Sequence, residues 1–302
     1  MKSSLDCVPC HVRQSLDASR AVSDDPTLHE QMLKEMLRWT AEMDTDLSPP
    51  VLGQRLHRRL REVTGIEDPY RSEKDHHNEM VLRLLPELRE RIAAADEPFG
   101  LAVKLAIAGN IIDLGVSGEV PDGALRTSIE QALAEPVHGL VDELRHDIDH
   151  ADDILYLADN CGEIVFDRLL IEHLPIERVT VAVRGLPILN DATMVDAQTV
   201  GLTELVEVID NGTDAPGTIL GDCSPAFRRR FEAADLIIAK GQGNFESLSD
   251  VDASIYFLFK VKCGVVAEHV GEPMGTHMVA RSGGRPTAHA RTTITAPKEG
   301  RT

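Results

Sequence analysis

The chain has 302 residues, enough for one large domain or two ordinary ones, and its 42% hydrophobic content supports a buried core and excludes global disorder. The 50 acidic residues against 31 basic ones give a net charge of -19, so a phosphate-rich polymer is repelled and nucleic acid is excluded as an expected partner. No apolar run approaches the ~18 residues that cross a bilayer, and Met1 to Cys10 carries no basic-then-apolar signal pattern, so the expected protein is cytoplasmic and makes no membrane contact.

The predicted elements begin with helices. Across residues 1–100 apolar residues recur at helical spacing, as in Leu33, Met36 and Leu37 and then Leu52, Leu56 and Leu60. Breaks are expected at Asp24-Asp25-Pro26, Ser48-Pro49-Pro50 and Asp68-Pro69. An apolar helix follows over Leu101 to Ala108 and carries on toward Asn110 and Asp113, and a further helix is expected over about 124–150. From residue 153 the rhythm changes to short apolar runs: Ile154–Ala158, Val179–Val183, Leu205–Ile209, Leu236–Ala239 and Cys263–Ala267. Such runs alternating with helices predict an α/β unit over 101–280, a mainly parallel sheet covered on both faces. Residues 281–302 are rich in Gly, Thr, Pro and Arg without periodicity, and a disordered tail is expected there.

In a parallel sheet the ligand site lies beyond the carboxyl ends of the strands, and the chemistry-bearing residues concentrate there. The first strand runs into Asp159-Asn160-Cys161-Gly162-Glu163. An acid beside an amide offers two hard oxygen ligands, although the pair can also simply cap the following helix. The next strand ends toward Asn190-Asp191, and if the two strands are neighbours Asp191 reaches the same crevice. Two carboxylates and an amide oxygen, with open positions, suit Mg²⁺ or Mn²⁺. Asp167 and Asp196, further along the helices, are expected either behind these ligands or in solvent. A third strand end carries Lys240-Gly241-Gln242-Gly243-Asn244-Phe245-Glu246, a point charge followed by two glycines whose amides can approach an anion. Its spacing fits neither a Walker loop nor a dinucleotide fingerprint. Asn110 and Asp113, three apart on one helical face, read either as an internally satisfied helix break or as substrate contacts.

The five cysteines form an odd, scattered set that argues against a disulfide framework and for a reducing compartment. Cys7-x-x-Cys10 followed by His11 is one pair without a second, short of a complete zinc finger, and reads first as packing. Cys161 reads as a small apolar filler, and His146/His150 and His76-His77 as solvated residues. Only eight of the basic residues are Lys, and an acidic surface poor in Lys is the kind expected in concentrated salt.

Taken in order, these motifs resemble the damage-control phosphatase family. The resemblance spans Cys7 to about Val270 and rests on Cys7-x-x-Cys10, Asp68-Pro69-Tyr70 with Lys74 and Asn78, the run ending at Asp113, Asp159-Asn160-x-Gly162-Glu163, Asn190-Asp191 and Lys240 to Glu246. It implies a three-layer α/β/α domain with a helical N-terminal region, a divalent metal (Mn²⁺, Mg²⁺, Co²⁺ or Ni²⁺) and hydrolysis of small phosphorylated metabolites such as sugar phosphates. By matching positions it implies Asp159, Asn160 and Asp191 as metal ligands. Asp159, Asn160, Glu163 and Lys240 would be the catalytic set, with the substrate held by Asn110, Asp113, Lys240, Gly241, Gly243 and Asn244. An aspartyl-phosphate mechanism would want an acid two residues after Asp159, where Cys161 stands, so metal-activated water is the expected nucleophile. The competing expectations are a methyltransferase using S-adenosylmethionine on carboxylates and a metal-stabilised binding protein without turnover; the oligomeric state stays open.

Overall fold

Helix-breaking residues set the first elements of the computed structural model, which describes residues 1–109 and 122–282. Helix α1 spans Cys7–Val22, α2 Pro26–Ala41, α3 Pro50–Thr64, α4 Arg71–Leu82, α5 Leu85–Ala93 and α6 Pro98–Ala108. Three of the gaps coincide with the Asp-Pro and Pro-Pro breaks. At α2 the Asp25 carboxylate accepts from the Thr27 amide while Pro26 occupies the first turn, where its missing N–H costs nothing. Helix α3 ends on Gly65 in the left-handed conformation. The first three helices share a small core of Ala18, Met32, Met36, Leu56 and Leu60. Apart from Lys104, helix α6 is apolar all round, and it is buried on nearly every side and packs against the sheet. Asn110, Asp113 and the tail from residue 283 lie outside the described residues.

One long helix over 124–150 was expected, and the chain instead forms α7 (Asp122–Ala134), strand β1 (Val137–Gly139) and α8 (Val141–His150). Pro136 stops the helix because proline cannot continue its hydrogen-bond ladder. Gly139 then turns at φ 102°, a conformation in which a Cβ would overlap the Val279 carbonyl.

The remaining elements are β2 (Ile154–Leu157), α9 (Glu163–Ile171), β3 (Val179–Val183), α10 (Met194–Thr199), β4 (Glu207–Asp210), α11 (Pro225–Ala233), β5 (Leu236–Lys240), α12 (Gly241–Leu248), β6 (Ile255–Lys260), α13 (Gly264–Val270) and β7 (His277–Arg281). The expected strand at Cys263–Ala267 is corrected: the segment is helical. A short β-branched run cannot by itself distinguish a strand from a buried helix turn. The strand is the aromatic run just upstream, Tyr256-Phe257-Leu258-Phe259, and β7 closes after it.

Among the described residues seven strands form one sheet in the order β1-β7-β6-β5-β2-β3-β4, parallel except for the β6–β7 pair. Side chains alternate strictly between two cores. Ile154, Tyr156, Val181, Ile238 and Leu258 face the layer that includes α6 and α9, while Leu155, Leu157, Ile237, Phe257 and Phe259 face α11, α12 and α13. The protein is a three-layer α/β/α sandwich. The chain leaves β2 for β3 on one side and later returns to β5 on the other, so the strand order reverses at β2 and opens a crevice at the carboxyl ends of β2, β3 and β5. No helix among the described residues is long and apolar enough to cross a membrane.

Candidate active site

The crevice is built by backbone first. After β3 the chain makes a loop that folds back on the end of β2, with Asn160 and Asp191 paired as an isolated antiparallel bridge and Arg184 and Thr193 as a parallel one. The Ala192 amide donates to the Asp159 carbonyl and the Cys161 amide to the Asn190 carbonyl, each at 2.8 Å. Leu189, one step before Asn190, sits at φ 45°, an uncommon conformation for a residue with a side chain. This stitching brings Asp159, Asn160 and Asp191 to one point, all three buried.

Their side chains form a closed network. Asn160 Nδ2 donates to Asp159 Oδ2 at 2.7 Å and to Glu163 Oε2 at 2.9 Å, which leaves the amide oxygen as its acceptor. Arg184 was not among the expected site residues, although it stands directly after β3 as a strand-end cation. It is fully buried and donates from Nε to Asp191 at 2.6 Å and from Nη2 to Asp159 at 3.3 Å, bridging the two carboxylates. Its Nη1 reaches Asn244 Oδ1 at 3.3 Å, and Asn244 in turn donates to the Lys240 carbonyl at 2.7 Å. Asn244 is thus buried as the strut between β3, β5 and the start of α12. Gly241 is fixed at φ 77° directly over Asp159, and any side chain there would overlap the Asp159 carboxylate. Gly243 packs against the Pro216 backbone for the same steric reason.

Lys240 lies deeper than expected. Its ammonium is fully buried and donates to the Ala106 carbonyl at 2.7 Å, to Glu163 Oε1 at 2.8 Å and to Asp167 Oδ1 at 2.6 Å. All three donors are engaged within the protein, so the ammonium braces Glu163 instead of facing the crevice. Asp167 is wholly buried, ruling out a solvent-facing role, and it also accepts from the Tyr156 hydroxyl at 2.8 Å. Asp196 is equally buried, held by Asn78 Nδ2 at 2.9 Å, Arg71 at 2.7 Å and the Thr193 hydroxyl at 2.7 Å. Asn78 then accepts from the Gly162 amide at 2.7 Å, tying the helical region to the turn that carries Asp159.

The electrostatic balance is negative. Asp159, Glu163, Asp167 and Asp191 are buried together with the guanidinium of Arg184 and the ammonium of Lys240. Burial, followed by the charges of Glu163 and Asp191, pushes the Asp159 carboxyl well above the usual carboxylate range, against the pull of Arg184. The exposed Lys262 adds a second cation whose charge reaches Asp159. Burial raises the Cys161 thiol, which suits the filler reading and not a nucleophile. Two carboxylates and an amide oxygen converging in a site with surplus negative charge are a hard-oxygen donor set that fits a divalent cation.

Fold and site together define a doubly wound α/β protein with an acidic, cation-suited crevice at its topological switch point. The model of the damage-control phosphatase ARMT1-like domain matches residues 3–278. A damage-control phosphatase of Archaeoglobus fulgidus is 36% identical over 93% of this chain and 99% of its own length, and one of Pyrococcus horikoshii is 34% identical over the same shares. The crystal structure of a DUF89 family protein from Pyrococcus horikoshii superposes with a TM-score of 0.85 at 33% identity, over 93% of this chain and 99% of that one. The chain belongs to the ARMT1-like damage-control phosphatase family.

Proposed function

We propose that this protein is a metal-dependent phosphatase of small phosphorylated metabolites, with the cation held by Asp159, Asn160 and Asp191. The observation that carries the reading is the bridge between the ends of β2 and β3, which gathers two carboxylates and an amide oxygen into one buried, net-negative crevice. The names of the relatives support the reaction class. When bound, a divalent cation supplies Lewis acidity toward a phosphoryl oxygen and acidifies water at its open positions.

The chain's own residues prepare that chemistry. Arg184 holds the carboxylates of Asp159 and Asp191 at a fixed separation. Glu163, itself anchored by Lys240, engages the Asn160 amide nitrogen and so leaves the amide oxygen for the cation. Helix α12 begins directly at the carboxyl end of β5, and α9 begins after the short turn that follows the neighbouring strand β2. The first amides of a helix lack helical partners; those of α9 donate to the Cys161, Asn160 and Gly162 carbonyls, so the α12 terminus is the one that offers N–H donors to a phosphoryl group, and Lys262 offers charge at the rim. Phosphoryl transfer needs little covalent help from the protein beyond such positioning and charge neutralisation. The glycines at 241 and 243 keep the α12 entrance free of side chains. Water, not Asp159, is the proposed nucleophile, because no acid stands two residues after Asp159.

The test is phosphate release from a panel of phosphorylated metabolites with each of Mn²⁺, Mg²⁺, Co²⁺ and Ni²⁺, comparing wild type with Asp159→Ala. Cation-dependent release that the substitution abolishes supports the reading. Absence of release from folded protein with every cation overturns it.

A further inference from the structure

Opposite the catalytic crevice, across the first turn of α12, lies a second cluster that the phosphatase reading does not use. Cys7, Cys10 and His11 stand at i, i+3 and i+4 in α1, which puts them on one face of that helix. They line a cleft of about 510 Å³ whose far wall is formed by Cys263, at the start of α13, and by Gln242 and Glu246 of α12. Three thiols and an imidazole from two distant parts of the chain therefore share one cavity.

The state of these groups points to a ligand. His11 is 5% exposed, and neither ring nitrogen has a hydrogen-bond partner; Gln14 approaches the ring without making hydrogen-bond geometry with either nitrogen. A buried imidazole without partners is costly unless something binds it. The thiols are tethered only weakly, Cys7 Sγ accepting from the Ser4 amide at 3.4 Å and Cys263 Sγ from Gln242 Nε2 at 3.6 Å. Burial raises the Cys7 and Cys10 thiols, and the neighbouring Cys263 adds to both. A dithiol built for redox exchange at a helix start would be pushed the other way.

We propose that Cys7, Cys10, His11 and Cys263 form a metal site, distinct from the catalytic crevice, for a soft d¹⁰ cation of the Zn²⁺ type. Three thiolates and one imidazole are an established tetrahedral set for that chemistry, and they are the wrong set for Mg²⁺ or Mn²⁺. Among the described residues no group of three or more His, Cys, Asp or Glu side chains, this cluster included, stands already arranged around a cation, so binding requires these four side chains to converge. That convergence would release the weak sulfur contacts of Cys7 and Cys263. Each thiol that binds loses its proton to water as its sulfur–metal bond forms, and no electron is transferred. The bound ion would tie α1 to the start of α13 behind α12, whose first residue, Gly241, rests on Asp159.

Cobalt titration of the reduced, chelator-stripped full chain tests the site independently of any phosphatase activity. The expected result is a sulfur-to-cobalt charge-transfer band with intense tetrahedral d–d bands, bleached by added Zn²⁺. The spectrum should be unchanged in Asp159→Ala, which removes only the oxygen site, and lost in Cys10→Ser and in Cys263→Ser. Serine keeps helix-start chemistry at position 263, and circular dichroism checks that both variants are folded. Cobalt binding without a thiolate band, or a thiolate band that survives in folded Cys263→Ser, overturns the proposal.

Discussion

Two lysines near the crevice are in opposite electrostatic situations, and the contrast separates structural charge from the charge proposed to face substrate. Lys240 is buried between Glu163 and Asp167, so removing it strands two carboxylates in a low-dielectric interior. Lys240→Met should cost about 3–5 kcal/mol in urea denaturation, with activity falling as the crevice loosens. Lys262 is exposed at the rim. Lys262→Ala should leave stability within about 0.5 kcal/mol and raise KM for an aryl phosphate by roughly tenfold, the loss of one charge-assisted contact. The reverse pattern would return the phosphate-holding part to Lys240. Asp159, Asn160 and Asp191 were legible as a group because strand-end acids and amides in successive strands of a parallel sheet have few other reasons to recur. Arg184 and Lys262 were not, because an isolated basic residue at a strand end carries no sign of which way its long side chain turns. Lys240 was visible, but its depth depends on the packing of α6, whose Ala106 carbonyl it reaches.

At the scale of elements, the tight entrance to α12 positions the site. Gly241 combines a positive φ with contact against Asp159, so Gly241→Ala strains the backbone and displaces a proposed ligand at once. Activity should fall by roughly a hundredfold or more, as expected when a reacting centre moves by about an ångström. Gly221→Ala, exposed and with open space for the added methyl, should leave activity unchanged. Equal kinetics for the two variants would contradict this part of the account. The helices before residue 109 were readable from their proline and acidic breaks, since those residues act locally. Strand β1 was hidden because three residues hold no period, and its existence depends on β7, about 140 positions away in the chain. Helix α13 was misassigned and strand β6 missed for a related reason: both are short apolar runs, and only their neighbours in space decide their form.

For the whole molecule, the reversal of strand order at β2 explains why one region gathers the polar residues that follow β2, β3 and β5, while the net charge of -19 sets how the fold responds to its medium. At 0.1 M salt the screening length is about 10 Å, and surface self-repulsion opposes compaction. Melting temperature should therefore rise as salt increases from low to molar concentration; a salt-independent melt would show that the acidic surface carries no such penalty. The central claim is that the cation at Asp159, Asn160 and Asp191 drives phosphate-ester hydrolysis. Its most direct test is phosphate release from an aryl phosphate by chelator-stripped protein, before and after divalent cation is restored, in wild type and Asp191→Asn. The account predicts no turnover without cation, recovery on adding it to wild type, and no recovery in the variant. Turnover that persists without the cation, or full recovery in Asp191→Asn, would contradict it.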